Sequence, residues 1–252
     1  TLSWSLTNFT TLVLADGVHT WRVKAVDKSG NTNISVLWPF TVDTSVPVAP
    51  VLIQPSSGTV TNDNTPILSW NRVVDAGGIK RYEVLIGSTV YNAGTATNWT
   101  YNPGIWVDGT SNWTVRAVDN ANWTGPAAVA WSLSVDTTPP PVVTLVSPNS
   151  NSAIATVSTV FTWNAVVDNL SGVASYQIQV STNVGFTAPA STNFNGLAWA
   201  LGGLKNLRTN WWRVRAYDAL GNTGAWSPVW TVIADTNQLV ATLISPANLA
   251  YT

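Results

Sequence analysis

The acidic side chains of this 252-residue sequence are candidates for catalysis or metal binding. Glu83 is the only Glu, and Asp63 is the one Asp without a counterpart elsewhere in the chain. Two carboxylates on one surface could form a glycosidase pair. Asp also accepts backbone hydrogen bonds in turns, and that role accounts for most of these residues. Catalytic residues normally interrupt a repeat pattern, whereas these follow one, so the carboxylates do not predict an enzyme.

Calcium is the alternative use of these carboxylates. Asp43, Asp136 and Asp235 each end an equivalent segment, where they could combine with loop Asp residues near a domain junction. Calcium takes six to eight oxygen ligands, and the sequence contains no Asp-x-Asp cluster. We therefore expect no bound cofactor, with calcium at these three residues as the open alternative.

Composition excludes several other functions. The chain has no Cys, which rules out disulfides and thiolate metal sites. His19 is the only His and follows a turn, so it cannot supply a repeated catalytic base. Phosphate-binding, dinucleotide-binding and His-Glu-x-x-His motifs are absent. The few basic residues form no patch that would bind nucleic acid, and no apolar run approaches the roughly 20 residues of a membrane span. These observations predict a protein that is not an enzyme.

The 15 Trp residues suggest carbohydrate binding, because flat aromatic faces stack on sugar rings. Most of them occupy repeated positions and are predicted to pack in cores or on sheets: Trp21, Trp38, Trp70, Trp99, Trp113, Trp131, Trp163, Trp199, Trp212 and Trp230. A ligand or a neighbouring subunit would therefore be contacted by the others: Trp4, Trp106, Trp123, Trp211 and Trp226.

Internal repetition defines the organisation of the chain. The pattern Trp-x-Val-x-Ala-x-Asp occurs at residues 21–27, 113–119 and 212–218. A period of roughly 95 residues is the length of one β-sandwich domain. The repeat predicts the end of one domain at 1–46, complete domains at 47–139 and 140–238, and the first strand of another at 239–252. Since both ends fall inside a repeat, we expect the natural protein to continue in both directions.

Alternation of apolar and polar residues predicts β-strands throughout. Trp21, Val23 and Ala25 share one face of a strand, and Arg22 and Lys24 share the other. Turn residues such as Asp-Gly separate the strands. The linkers that begin at residues 43 and 136 contain Pro, which stiffens the joints, so we expect the domains to lie end to end.

The order of these motifs resembles bacterial immunoglobulin-like and fibronectin type III-like tandem repeats of large exported surface proteins. This resemblance implies an all-β fold of tandem β-sandwich domains. It also implies that Trp70 and Trp163 pack over Tyr82 and Tyr176. Two features depart from the family pattern. Trp123 stands where the other repeats have Asn31 and Asn222, and the corner Tyr is replaced by His19, Ser111 or Asn210.

Two functions are consistent with tandem β-sandwich domains that are not enzymes. The first is a non-catalytic structural or adhesive segment of an extracellular or cell-surface protein, such as a fibre, stalk, sheath or surface layer. Its partners would be copies of itself or other surface proteins, bound through exposed strand edges. The second is a spacer or carbohydrate-binding accessory module of a secreted polysaccharide-degrading enzyme, whose partner would be a glycan.

Overall fold

The computed structural model describes residues 13–101 and 106–237. Every regular element in these two ranges is a β-strand, as the sequence predicts. No described segment is a helix long and apolar enough to cross a membrane. The chain divides into two compact units, Thr1–Val135 and Asp136–Thr252. The strand predicted at 239–252 and the candidate contact residue Trp4 lie outside the described residues.

The first unit begins with two antiparallel strand pairs. Strand β1 (Gly17–Trp21) pairs with β4 (Trp38–Val42), and β2 (Lys24–Val26) pairs with β3 (Thr32–Ile34). The described residues place no second sheet against Trp21 and Trp38, which are 52% and 60% exposed. Trp21 and Trp38 lie opposite each other on β1 and β4 with ring centroids 6.2 Å apart, so they pack on one sheet rather than in a core between two sheets.

A complete sandwich follows in the first unit. Its three-stranded sheet has the order β10–β7–β5, with β5 at Leu52–Gln54, β7 at Ile67–Trp70 and β10 at Asn98–Thr100. Its five-stranded sheet has the order β6–β12–β11–β8–β9. These strands are β6 (Thr59–Thr61), β8 (Ile79–Ile86), β9 (Thr89–Gly94), β11 (Gly109–Asp119) and β12 (Trp131–Val135). All neighbouring strands are antiparallel except β6 and β12.

The second unit repeats this arrangement strand for strand. Its three-stranded sheet has the order β13–β15–β18, at Leu145–Ser147, Thr159–Trp163 and Ala198–Leu201. Its five-stranded sheet has the order β14–β20–β19–β16–β17. These strands are β14 (Ser152–Ile154), β16 (Val173–Ser181), β17 (Ala190–Phe194), β19 (Thr209–Asp218) and β20 (Trp230–Ala234). The predicted fold class, tandem immunoglobulin-like or fibronectin type III-like β-sandwiches, is confirmed.

Alternating side chains from the two sheets of each unit form its core. Trp113 and Trp212, on the central strands β11 and β19, are completely buried. Trp70 contacts Tyr82 across the first sandwich with ring centroids 5.5 Å apart, and Trp163 contacts Tyr176 in the second at 5.9 Å. The predicted packing of these two Trp–Tyr pairs is confirmed. Each buried aromatic side chain removes roughly 150–250 Å² from water, which makes these pairs major contributors to stability.

Both Tyr hydroxyls accept a backbone hydrogen bond. Val73 N–H donates to Tyr82 Oη at 2.8 Å, and Val166 N–H donates to Tyr176 Oη at 3.1 Å. The residue at the family's corner position in the second unit, Asn210, is buried, and its Nδ2 donates to the carbonyl of Arg208 at 3.1 Å. A buried amide therefore makes the local backbone contact that the missing Tyr would otherwise make.

Candidate functional site

The four described Trp residues predicted as ligand or subunit contacts occupy different environments. Trp106 lies in the core of the first sandwich and is only 4% exposed, so it offers little area to a ligand. Trp211 is half-buried on β19. Trp123 is 49% exposed and lies in the loop after β11. No row of exposed aromatic faces joins these residues in the described part of the chain.

Trp226, the fourth of these residues, is covered by cations. The guanidinium carbons of Arg213 and Arg215 lie 4.2 Å and 4.4 Å from its ring centroid. Arg213 also lies 4.0 Å from the ring of Phe186. Cation–π contacts of this kind contribute about 0.5–1 kcal/mol at exposed sites. The indole of Trp226 is therefore engaged within the domain rather than presented to a sugar.

A cluster of four aromatic rings lies along the edge strands β9 and β10 of the first sandwich, and the sequence did not predict it. Tyr91 contacts Trp99 and Tyr101 at centroid distances of 5.2 Å and 5.5 Å. Tyr101 in turn contacts Trp106 at 5.5 Å in an edge-on arrangement. Tyr91, Trp99 and Tyr101 are half-buried against the core. These rings pack mainly on one another, which is a structural role.

Glu83 is the only buried Glu, and two Arg side chains neutralise it. Arg81 Nη2 lies 2.6 Å from Glu83 Oε1, and Arg116 Nε lies 2.7 Å from Oε2. Burial alone would raise the pKa of Glu83, but the hydrogen bonds and charges of both Arg residues outweigh it and lower that pKa. The pairing is cross-strand, since Arg116 on β11 lies opposite Glu83 on β8. Arg116 therefore forms an ion pair, whereas its counterpart Arg215 stacks on Trp226.

Three carboxylates meet in the first unit, although they are far apart in the sequence. One oxygen from each of Asp43, Asp75 and Asp119, here called the first Asp cluster, lies within 4.8 Å of the others. Asp43 follows β4, Asp75 lies in the loop before β8, and Asp119 ends β11. Burial, and then the nearby charges of Asp43 and Asp119, raise the pKa of Asp75.

The equivalent carboxylates meet in the second unit. One oxygen from each of Asp136, Asp168 and Asp218, here called the second Asp cluster, also lies within 4.8 Å of the others. Asp136 and Asp218 are 1% and 3% exposed. Strict repetition of the three positions means that the fold itself brings these carboxylates together. The repeat positions were visible in the sequence, but their convergence was not, because no local motif connects them.

Donors surround the carboxylates of the second Asp cluster. Asn222 Nδ2 donates to Asp218 Oδ2 at 2.6 Å and to the carbonyl of Asp136 at 2.9 Å. The N–H of Ser171 donates to Asp136 Oδ2 at 3.0 Å and to Asp168 Oδ1 at 3.1 Å. This cluster is therefore held by hydrogen bonds from the protein.

The first Asp cluster lacks the two corresponding donors. Trp123 replaces Asn222, and its Nε1 donates to the carbonyl of Asp43 at 3.2 Å but does not reach Asp119 Oδ2. The N–H of Gly77 donates to Asp75 at 3.1 Å, and Asp43 Oδ2 receives no hydrogen bond from the described residues. Asp119 is completely buried, so its unpaired Oδ2 costs about 1–3 kcal/mol.

The three residues that the sequence predicts as calcium candidates have different surroundings. Asp43 joins the first Asp cluster and Asp136 the second. Asp235 is exposed, and neither of the two clusters includes it. These two clusters are the only groups of three or more His, Asp or Glu side chains with metal-ligand spacing among the described residues. His19 is exposed, and its Nε2 donates to the carbonyl of Ala15 at 2.7 Å.

The chain is similar to parts of two larger enzymes. It is 30% identical over 247 residues to exoglucanase B of Cellulomonas fimi, covering 92% of this chain and 22% of that protein. It is 29% identical over 219 residues to chitinase A1 of Niallia circulans, covering 84% of this chain and 29% of that protein. The chain therefore spans less than a third of either relative.

One of the similar solved structures contains the fibronectin(III)-like modules of Clostridium thermocellum CbhA. It has 14% sequence identity and a TM-score of 0.40, and the match covers 74% of this chain and 94% of that chain. No family model matches the sequence.

Proposed function

We propose that this chain, a run of fibronectin type III-like β-sandwich repeats, is a non-catalytic accessory segment of a secreted polysaccharide-degrading enzyme. Similarity over 92% of the chain to part of an exoglucanase carries this proposal. Similarity to part of a chitinase supports the same class of protein. Fibronectin type III-like domains are typically non-catalytic, so the hydrolytic residues would lie in another domain. The location is then extracellular.

Within that function, the placement of the aromatic side chains favours spacing over sugar binding. A carbohydrate-binding surface needs flat aromatic faces open to solvent. Trp106 is buried, Trp226 is stacked with Arg213 and Arg215, and Trp123 is 49% exposed in a loop. The aromatic residues of the two sandwiches therefore serve mainly their own cores. Similarity to parts of two polysaccharide-degrading enzymes favours this accessory function over the competing function, a surface fibre.

Deletion of the repeats from the natural protein tests the proposal. The natural full-length polypeptide and a version lacking 47–238 would be assayed on soluble and insoluble cellulose and chitin. We expect hydrolysis of soluble substrate to persist, and hydrolysis of the insoluble substrate to fall when the repeats are removed. A natural protein without hydrolytic activity on either polysaccharide would overturn the proposal, and filaments of that protein would favour the surface-fibre function.

A further inference from the structure

We propose that the first Asp cluster, formed by Asp43, Asp75 and Asp119, binds one calcium ion, and that the second Asp cluster does not. Both clusters bring three carboxylates within 4.8 Å of one another. They differ in whether the protein itself supplies donors to the carboxylate oxygens. Calcium binding by the first Asp cluster is independent of the proposed accessory function.

A buried oxygen without a donor is the observation that points to a ligand. Asp119 is 0% exposed, and its Oδ1 accepts the N–H of Trp123 at 2.8 Å while its Oδ2 has no partner among the described residues. Asp43 Oδ2 is also buried and without a partner there. A buried carboxylate oxygen needs a donor or a cation. The two carboxylates that carry these oxygens, together with Asp75, form a negatively charged site that a cation would satisfy.

Two sequence differences between the repeats explain why only the first Asp cluster has buried carboxylate oxygens without a donor. The Asn at the position of Trp123 in the second repeat, Asn222, donates to Asp218 Oδ2 at 2.6 Å. The loop after Asp168 is also one residue longer than the loop after Asp75. That longer loop places the Ser171 N–H on Asp136 Oδ2. In the second cluster, hydrogen bonds therefore occupy the oxygens that remain open in the first.

The chemistry of the ligands favours calcium over magnesium. All three side chains offer hard oxygen ligands, and neither nitrogen nor sulfur takes part. Magnesium demands near-ideal octahedral geometry, whereas calcium accepts six to eight oxygens in a flexible arrangement. Carboxylates that come from three separate segments of the chain therefore suit calcium better than magnesium.

An open pocket adjoins the cluster and provides a path for the ion and its water ligands. Thr41, Asp43, Gly77 and Asn120 line this pocket. Gly77 also allows the close approach of Asp43, because a Cβ at residue 77 would collide with the Asp43 carboxylate. Calcium requires six to eight oxygens. Water entering from the pocket would complete the coordination that three carboxylates begin.

Calorimetric titration of CaCl2 into the metal-stripped 252-residue chain tests this inference. We expect one calcium ion per chain, and weaker binding of magnesium in a parallel MgCl2 titration. Asp75→Asn should abolish calcium binding, whereas the matched variant Asp168→Asn in the second cluster should leave both stoichiometry and affinity unchanged. Absence of calcium binding by the unaltered chain would overturn the inference, as would equal loss in the two variants.

A second variant separates metal binding from folding. Trp123→Asn introduces the residue that the other repeats carry, so we expect this variant to fold. Its new amide should donate to Asp119 Oδ2, as Asn222 does to Asp218, and calcium affinity should fall at least about tenfold. Unchanged affinity in a folded Trp123→Asn variant would contradict the assignment. Magnesium binding as tight as calcium binding would contradict the choice of ion.

Discussion

A single residue difference between the two sandwiches decides whether an Arg side chain pairs with a charged or a neutral acceptor at equivalent positions. Glu83 lies opposite Arg116 on neighbouring strands, and Gln177 lies opposite Arg215 at the corresponding place. Arg215 Nε donates to Gln177 Oε1 at 2.8 Å, so a neutral amide accepts the same contact that Glu83 accepts as an ion. The first sandwich therefore carries a partly buried ion pair where the second carries a hydrogen bond from a charged Arg to a neutral amide.

We predict that Glu83→Gln lowers the free energy of unfolding by about 1 kcal/mol near neutral pH, because two ion pairs with Arg become weaker hydrogen bonds to a neutral amide. The pKa of Glu83 is lowered in the folded state. Its stabilising contribution is therefore fully present above the unfolded pKa of about 4.5 and disappears as the pH falls through the lower folded value. Urea unfolding of both proteins over a pH series measures this difference.

The second sandwich shows that Gln is tolerated here, because Gln177 already occupies the equivalent position. The variant is therefore expected to fold with the same strand register. A difference in stability that stays constant from pH 7 to pH 3 would show that the loss is steric rather than electrostatic, and would contradict the ion-pair account.

At the scale of secondary-structure elements, the loop after β11 or β19 packs against the Pro-containing segment that precedes the same sandwich. Gly125 follows β11, and a Cβ there would collide with the carbonyl oxygen of Pro47. Gly224 follows β19, where a Cβ would lie 2.8 Å from the carbonyl oxygen of Pro140. The two Gly residues thus allow the same close approach between a loop and the incoming Pro segment within each unit.

We predict that Gly125→Ala destabilises the first sandwich by about 1–3 kcal/mol, because the added methyl group must displace the Pro47 backbone. Gly224→Ala should act in the same direction on the second. Ala127→Ser, at an exposed residue of the same loop, is the control. Thermal unfolding followed by circular dichroism measures the two Gly variants and this control. A stability of Gly125→Ala equal to that of the unaltered chain would contradict the packing described.

Strands with a strong alternating pattern were predictable from sequence, and short edge strands were not. The residues of β11 and β19 alternate apolar and polar side chains because one face lies in the core, and this pattern identified them. Strands β9 and β17 pair on one side only and mix exposed with half-buried residues, so their sequences give a weak signal.

The candidate site was less predictable than the fold. Asp43, Asp75 and Asp119 were each recognisable as repeated turn residues, but a turn role explained them individually. Their convergence depends on strand pairing that places the ends of β4 and β11 and the loop before β8 together. The effect of Trp123 depends further on a hydrogen bond that its counterpart Asn222 makes only in the folded chain.

At the scale of the whole molecule, both units devote their aromatic residues to packing. Trp113 and Trp212 are completely buried, and Trp131 and Trp230 contact them at 6.0 Å and 5.8 Å. A chain whose Trp side chains pack within its own domains suits a spacing role. In that role, the folded domains matter more than which residues lie on their surface.

Replacement of the repeats in the natural full-length protein tests the proposed spacer role most directly. Residues 47–238 would be exchanged for two β-sandwich domains of unrelated sequence, and hydrolysis of insoluble cellulose and chitin would be compared with that of the natural and deleted proteins. The account predicts that the exchanged protein regains the hydrolysis rate lost on deletion. A rate that stays at the level of the deleted protein would show that the surface of these repeats binds a partner, and would contradict the spacer role.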